Sequence, residues 1–199
     1  MKPADLEKLI NKMMEMLYGM IPLSVGFRMD FKPMVLAQLC TAKEVIFLRT
    51  HYVRHVWYSV DVWLIASLID EQGNDRVVRI YKPGQIFTDA ISFFKAIPSR
   101  LEFRAFTKGV LLSIRRSAVM ELKKHPETHE LVTSTLLLEQ ETEAWRVRVM
   151  AMHDKDKVEA FAAEYPINKV PNKYAASFLN MVPANYSREK AAYNTKNKD

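Results

Sequence analysis

The stretch VWLIASLIDEQGNDRVVRIYKPGQIF, residues 62–87, decides the fold. Two apolar runs, 63–69 and 76–81, flank a polar tip, 70–75, that carries Gly73. Apolar strands joined by a short glycine-bearing tip read as a β-hairpin. Lys82, Pro83 and Gly84 then make a turn. Working outward, residues 45–48, 56–59, 101–105 and 110–114 are short runs rich in Val, Ile, Tyr, Phe and Trp, each bounded by turn residues. Five or more such strands predict an antiparallel sandwich, roll or barrel.

On either side of this β region the period changes from two to three or four. Residues 4–18 place Leu6, Leu9, Ile10, Met13, Met14 and Leu17 at helical spacing, and Gly19 and Pro22 end that helix. A second short helical stretch is expected near 33–39. From Ser117 onward the chain reads as helical. A long helix starts at Pro126, which suits a first helical turn, while His125 before it is pushed out of the helical region. Leu131, Leu138 and Trp145 repeat every seven residues, and Thr135, Thr142 and Val149 repeat with an offset of four. That is a heptad seam, and it makes these six residues the expected dimer interface. A polar hinge at 153–157 and a helix at 157–165 lead to a pair of short helices, 172–179 and 183–193, with a break at 180–182. The first carries Tyr174, Ala175, Phe178 and Leu179 on its inner face, and Tyr186 closes against it. Two helices around a tight turn on a basic segment fit a helix-turn-helix. The expected fold class is therefore α+β, with a roll and its N-terminal helices over 1–124, a long helix over 125–152 and a DNA-binding pair over 153–199.

The 199 residues are 49% hydrophobic and 26% charged, enough apolar material for one or two globular domains. The apolar charge-free run 16–27 is too short to cross a bilayer, and Asp5, Glu7 and Glu15 spoil the preceding segment as a signal peptide. A single cysteine allows no internal disulfide. The expectation is a cytoplasmic protein with no membrane partner. The net charge is +6, and between Pro166 and Asp199 six basic residues face two acidic ones. This favours a polyanionic partner.

Positive signs of catalysis are missing. There is no GxGxxG, no GxxxxGK[ST], no HExxH and no GxSxG. His51 and His55 would share a face if they lay on one strand, but no third ligand stands at a telling spacing, so no metal is expected. Cys40, in the apolar stretch VLAQLC, reads as a buried inert thiol. No enzyme and no cofactor is expected.

The order of elements resembles the bacterial cyclic-AMP receptor protein and fumarate-nitrate regulator (Crp/Fnr) family of transcription factors, over about residues 43–190. Residues 62–87 resemble its central hairpin and following turn. IPSRLEFRAF (97–106) resembles the strand after its ligand cassette, KKHPETHELV (123–132) the start of its dimer helix, and VPNKYAASFLNMVPANYSREK (170–190) its helix-turn-helix. The resemblance implies a homodimer bound to double-stranded DNA and a cyclic-nucleotide-binding-like roll. The family's cassette pairs Gly-Glu with Arg-Ser/Thr-Ala to hold a cyclic phosphate. Those positions fall on Thr88 and Asp89, and on Ser99, Arg100 and Leu101, so Thr88, Asp89, Ser99 and Arg100 are the effector candidates. The glycine is missing and the arginine is displaced by one. Cyclic AMP is therefore not expected to bind in the usual way, and the effector's identity stays open. Of the family's base-reading residues only the arginine remains, as Arg188; its other positions hold Pro183 and Ala184. Asn185, Ser187 and Lys190 beside it, and Lys169 and Lys173 at the entry to the motif, complete the expected DNA contacts. The rival is a degenerate roll that binds a protein and no DNA.

Overall fold

The computed structural model describes residues 3–196. The chain divides into two compact units: one runs to Ala66 and resumes over Ile80–Leu138, and the other combines Ser67–Arg79 with the chain from Glu139 onward.

The first unit opens with helix α1 (Pro3–Met20), which buries Ile10, Met13, Met14 and Leu17. Helix α2 (Val25–Phe31) follows, with the Ser24 hydroxyl capping it by accepting from the Phe27 N–H at 3.1 Å. A single 3₁₀ turn covers Lys32–Met34. The helix expected near 33–39 is therefore displaced: the helical residues lie earlier, and strand β1 occupies Leu36–Cys40. Strand β1 is an edge strand held only by β8 (Gly109–Arg115), with Leu36 opposite Ser113 and Cys40 opposite Gly109. Tertiary pairing, which no local pattern encodes, decides this segment.

The remaining strands are β2 (Val45–Phe47), β3 (His55–Ser59), β4 (Leu64–Ile69), β5 (Asp75–Tyr81), β6 (Ile86–Phe87) and β7 (Glu102–Ala105). They form two four-stranded sheets, ordered β1-β8-β3-β6 and β2-β7-β4-β5. The hairpin read from residues 62–87 is β4–β5, and Gly84 in the turn after it has φ +86°, a conformation that favours glycine. Gly109 is fixed by close approach: a Cβ there would lie 2.1 Å from the Asp61 carboxylate, which accepts from the Val110 N–H at 2.7 Å. Inside the roll, aromatic rings fill the space. Trp57 stacks on Phe87 with centroids 5.5 Å apart, and Phe103, Tyr81 and Phe47 pack around them. Each such pair adds about 0.5–1.5 kcal/mol beyond its area.

Between β6 and β7 lies the short helix α3 (Ala90–Lys95), and after β8 comes α4 (Arg116–Leu122). His125, outside any helix as expected, binds Asp30 through Nε2 at 2.9 Å, and Lys124 Nζ reaches the same carboxylate oxygen at 2.8 Å. Helix α5 (Pro126–Met150) begins at the predicted proline.

In the second unit, helix α6 (Asp154–Glu164) starts where the hinge was expected, so the break shrinks to residues 151–153. Helix α7 (Asn172–Phe178) and helix α8 (Pro183–Lys196) form the predicted pair. Their core is aromatic: Phe161 lies 4.8 Å from Tyr165, and Phe178 and Tyr186 close over Phe161 at 6.1 and 6.4 Å. Met181 is buried at the break, whereas Val182 points to solvent. Among the described residues no helix is long and apolar enough to cross a membrane.

Candidate functional site

Helix α8 is amphipathic in a narrow sense. Tyr186 is fully buried and pins the helix to α6. On the opposite side Pro183, Ala184, Ser187, Arg188, Ala191 and Thr195 face solvent. Arg188 has 69% of its side chain exposed and pairs with the neighbouring Glu189, Nη2 to Oε1 3.0 Å. Arg188 stands largely in solvent while Glu189 is half-buried, so water competes for the guanidinium and Arg188 can exchange this pair for another acceptor.

The other residues expected to meet DNA are placed as follows. Lys169 and Lys173 are exposed, and the Lys173 ammonium lies over the Tyr174 ring at 4.7 Å. Ser187 accepts from the Asn172 amide at 3.3 Å. Lys190 turns inward: its Nζ donates to the Ile167 carbonyl at 2.8 Å and to Asn172 Oδ1 at 2.9 Å, and desolvation lowers its pKa. Asn185 donates to Asp154 Oδ2 at 3.2 Å and so ties α8 to the first turn of α6. Lys173, Ser187 and Arg188 are thus exposed, while Lys190 and Asn185 brace the pair. Asn172, which joins Ser187 to Lys190, was missed; its polar side chain directly after Pro171 was the available signal.

In the roll, the effector candidates come together around α3. The Asp89 carboxylate caps that helix, accepting from the Ile91 and Ser92 N–H groups at 3.1 and 3.2 Å. Its second oxygen accepts from the Ser99 hydroxyl at 2.7 Å. Thr88 is buried, and its hydroxyl donates to the His55 carbonyl at 3.1 Å. Arg100 is exposed and is not part of this cluster. A carboxylate of the protein itself thus occupies the amides at the start of α3.

The heptad residues of α5 separate. Val149 is buried, Trp145 packs against Tyr165 and Phe178 at 6.0 and 6.3 Å, and Leu131 is buried too. Thr135 and Thr142 are half-buried, with the Thr135 hydroxyl donating to the Leu131 carbonyl at 2.8 Å, and Leu138 is exposed. A different row stands clear of the chain: Thr133, Leu137, Gln140, Ala144 and Val147, spaced 4-3-4-3, with Leu137 and Val147 54% and 53% exposed.

The histidine pair does not share a strand. His51 lies in a bend, and His55 on β3 packs on Trp57 at 5.7 Å. No group of three or more potential metal ligands occurs among the described residues. Cys40 is buried, and desolvation raises its thiol to about 11, so it is a poor nucleophile.

No family model and no curated protein matches the chain by sequence. Solved structures do match by shape. FixK2 from Bradyrhizobium japonicum superposes with a TM-score of 0.69 at 14% identity, covering 81% of this chain and 85% of that one. The c-di-GMP-responsive global regulator CLP of Xanthomonas campestris gives 0.66 at 10% identity, with 87% and 93% covered. The fold is that of the Crp/Fnr regulators. The Thermus thermophilus catabolite activator protein is similar too, at 0.53 and 14% identity, covering 91% and 87%. The Crp/Fnr fold accounts for the order of elements: N-terminal helices, roll, long helix and C-terminal helices.

Proposed function

We propose that this protein is a homodimeric, cytoplasmic DNA-binding transcription regulator whose roll takes no cyclic nucleotide in the usual way. The observation that carries the DNA reading is the α7–α8 pair itself. Its inner face is locked by Phe178 and Tyr186, and its outer face presents Arg188, Ser187 and Lys173 to solvent. Arg188 suits the paired acceptors of guanine, and Lys173 suits a phosphate. Two such helices in a dimer would enter major grooves one helical turn apart.

The dimer seam in this reading is the bare row Thr133, Leu137, Gln140, Ala144 and Val147 on α5. A 4-3 row with two exposed aliphatic residues is what a second copy of the helix packs against. Substituting Leu137→Glu and Val147→Glu together should shift sedimentation from dimer to monomer.

The roll argues against a cyclic phosphate. Asp89 already satisfies the α3 amides and the Ser99 hydroxyl, and a phosphate brought there would meet a like charge. An effector, if one acts, is of another chemistry or binds elsewhere. CLP is a c-di-GMP-responsive regulator, so titrations with c-di-GMP and cyclic AMP, expected to leave Asp89 and α3 unperturbed, check this.

The test is fluorescence anisotropy of the full chain against a pool of duplexes at low and moderate salt. Binding that falls steeply with salt supports the regulator, because phosphate contacts release counterions. An intact dimer without affinity for any duplex at low salt would sink it. One observation favours the rival, a roll that binds a protein: apart from Arg188 and Ser187, the exposed face of α8 is mainly Ala184, Ala191 and Thr195, which carry little base-reading chemistry.

A further inference from the structure

The hairpin tip, residues 67–79, belongs to the second unit. Strand β5 is an edge strand, so among the described residues one side of it has no strand to bond. Helix α7 supplies the partner: the Val77 N–H donates to the Ser177 hydroxyl at 2.9 Å. Two guanidinium groups extend this contact. Arg76 is oriented by Asp70, Nε to Oδ2 2.8 Å, and its Nη1 reaches Asn180 Oδ1 at 3.4 Å. Asn180 sits in the break between α7 and α8 with φ +51°. Arg79 pairs with Glu143 of α5, which also faces Arg146, and Arg146 donates to the Phe178 carbonyl at 3.1 Å with its guanidinium 5.1 Å from that ring. An open cavity of about 410 Å³ lies alongside, lined among others by Asp70, Arg76, Arg146, Ser177 and Asn180.

Helix α7 is only seven residues long and no side chain caps its N-terminus. A helix of that length does not hold itself in water; its neighbours must hold it. The hairpin tip grips it at Ser177 and at the Asn180 break, through polar contacts, with open space beside them. Such contacts break and reform far more readily than an aromatic core does.

We propose that the hairpin tip is a releasable clasp on the α7–α8 pair, closed by Val77–Ser177, Arg76–Asn180 and Arg79–Glu143, and that opening it loosens both helices together.

Hydrogen–deuterium exchange on the full chain tests this without nucleic acid, so its outcome is independent of the DNA reading. Ser177→Ala should speed exchange several-fold to about tenfold in peptides covering 75–79 and in those covering 172–182, together. Ser177→Thr, which keeps the hydroxyl, should restore the slow rates in both. Arg79→Gln, on the far side of the clasp, should speed the same two segments. Faster exchange in the hairpin alone, or no change in either segment in a folded variant, overturns the proposal.

Discussion

The Ser99 hydroxyl donates to the Asp89 carboxylate across 2.7 Å, and the other oxygen of that carboxylate holds two amides of α3. One side chain therefore joins the segment before α3 to the segment after it. Arg100, the residue after Ser99, is exposed and takes no part in this cluster.

Removing the carboxylate should cost stability. Asp89→Ala deletes a helix cap and the acceptor of the Ser99 hydroxyl, so we expect a loss of about 1–2 kcal/mol, read as a lower urea midpoint. Ser99→Ala leaves the cap in place but removes the bonds of Ser99 to Asp89 and to the Leu101 N–H. An Asp89→Ala midpoint equal to that of the wild type would show that the cap contributes nothing.

Tyr186 offers a sharper contrast. It is fully buried, and its hydroxyl has no hydrogen-bond partner among the described residues; desolvation raises its pKa. Tyr186→Phe should therefore leave stability unchanged or raise it slightly. Tyr186→Ala should cost about 3–5 kcal/mol through the cavity it leaves. Thermal unfolding of the three proteins separates these outcomes, and a strongly destabilised Phe variant would reveal a bond to the hydroxyl.

Acid sensitivity should centre partly on Asp30. Hydrogen bonds from Lys124 and then His125 hold its carboxyl below the ordinary value. A depressed carboxylate stabilises the fold above its unfolded pKa and loses that contribution as pH falls through the folded one. The wild type should thus lose stability as pH drops below about 4, and Asp30→Asn should be less sensitive over that range. Unfolding midpoints of both proteins between pH 7 and pH 2 give the comparison; parallel curves would remove Asp30 from the account.

On DNA, the exposed cations Arg188 and Lys173 should behave differently. Arg188→Ala should cost about 1–3 kcal/mol and relax preference at one base pair. Lys173→Ala should weaken all duplexes about equally and lower the salt slope by about one. Salt titrations on matched and mismatched duplexes distinguish the two. An Arg188 variant with unaltered affinity would return that residue to its pair with Glu189.

Several of the elements are legible in local pattern alone. Alternating apolar runs around Gly73, helical spacing before Gly19, Pro126 at the head of α5 and Pro183 at the head of α8 each state a local preference that the fold keeps. Those signals are local because they follow from backbone sterics and from the period of a helix or strand. Tertiary structure decided the rest. It made residues 36–40 an edge strand by pairing them with β8, and it buried Leu131 and Val149 and set the half-buried Trp145 against Tyr165 and Phe178, leaving Leu137 and Val147 bare. It turned Lys190 inward to the Ile167 carbonyl, and it set the hairpin tip against Ser177. Each of these depends on which surfaces meet across many residues, and a heptad or a lysine reads the same in sequence whichever neighbour it finally meets.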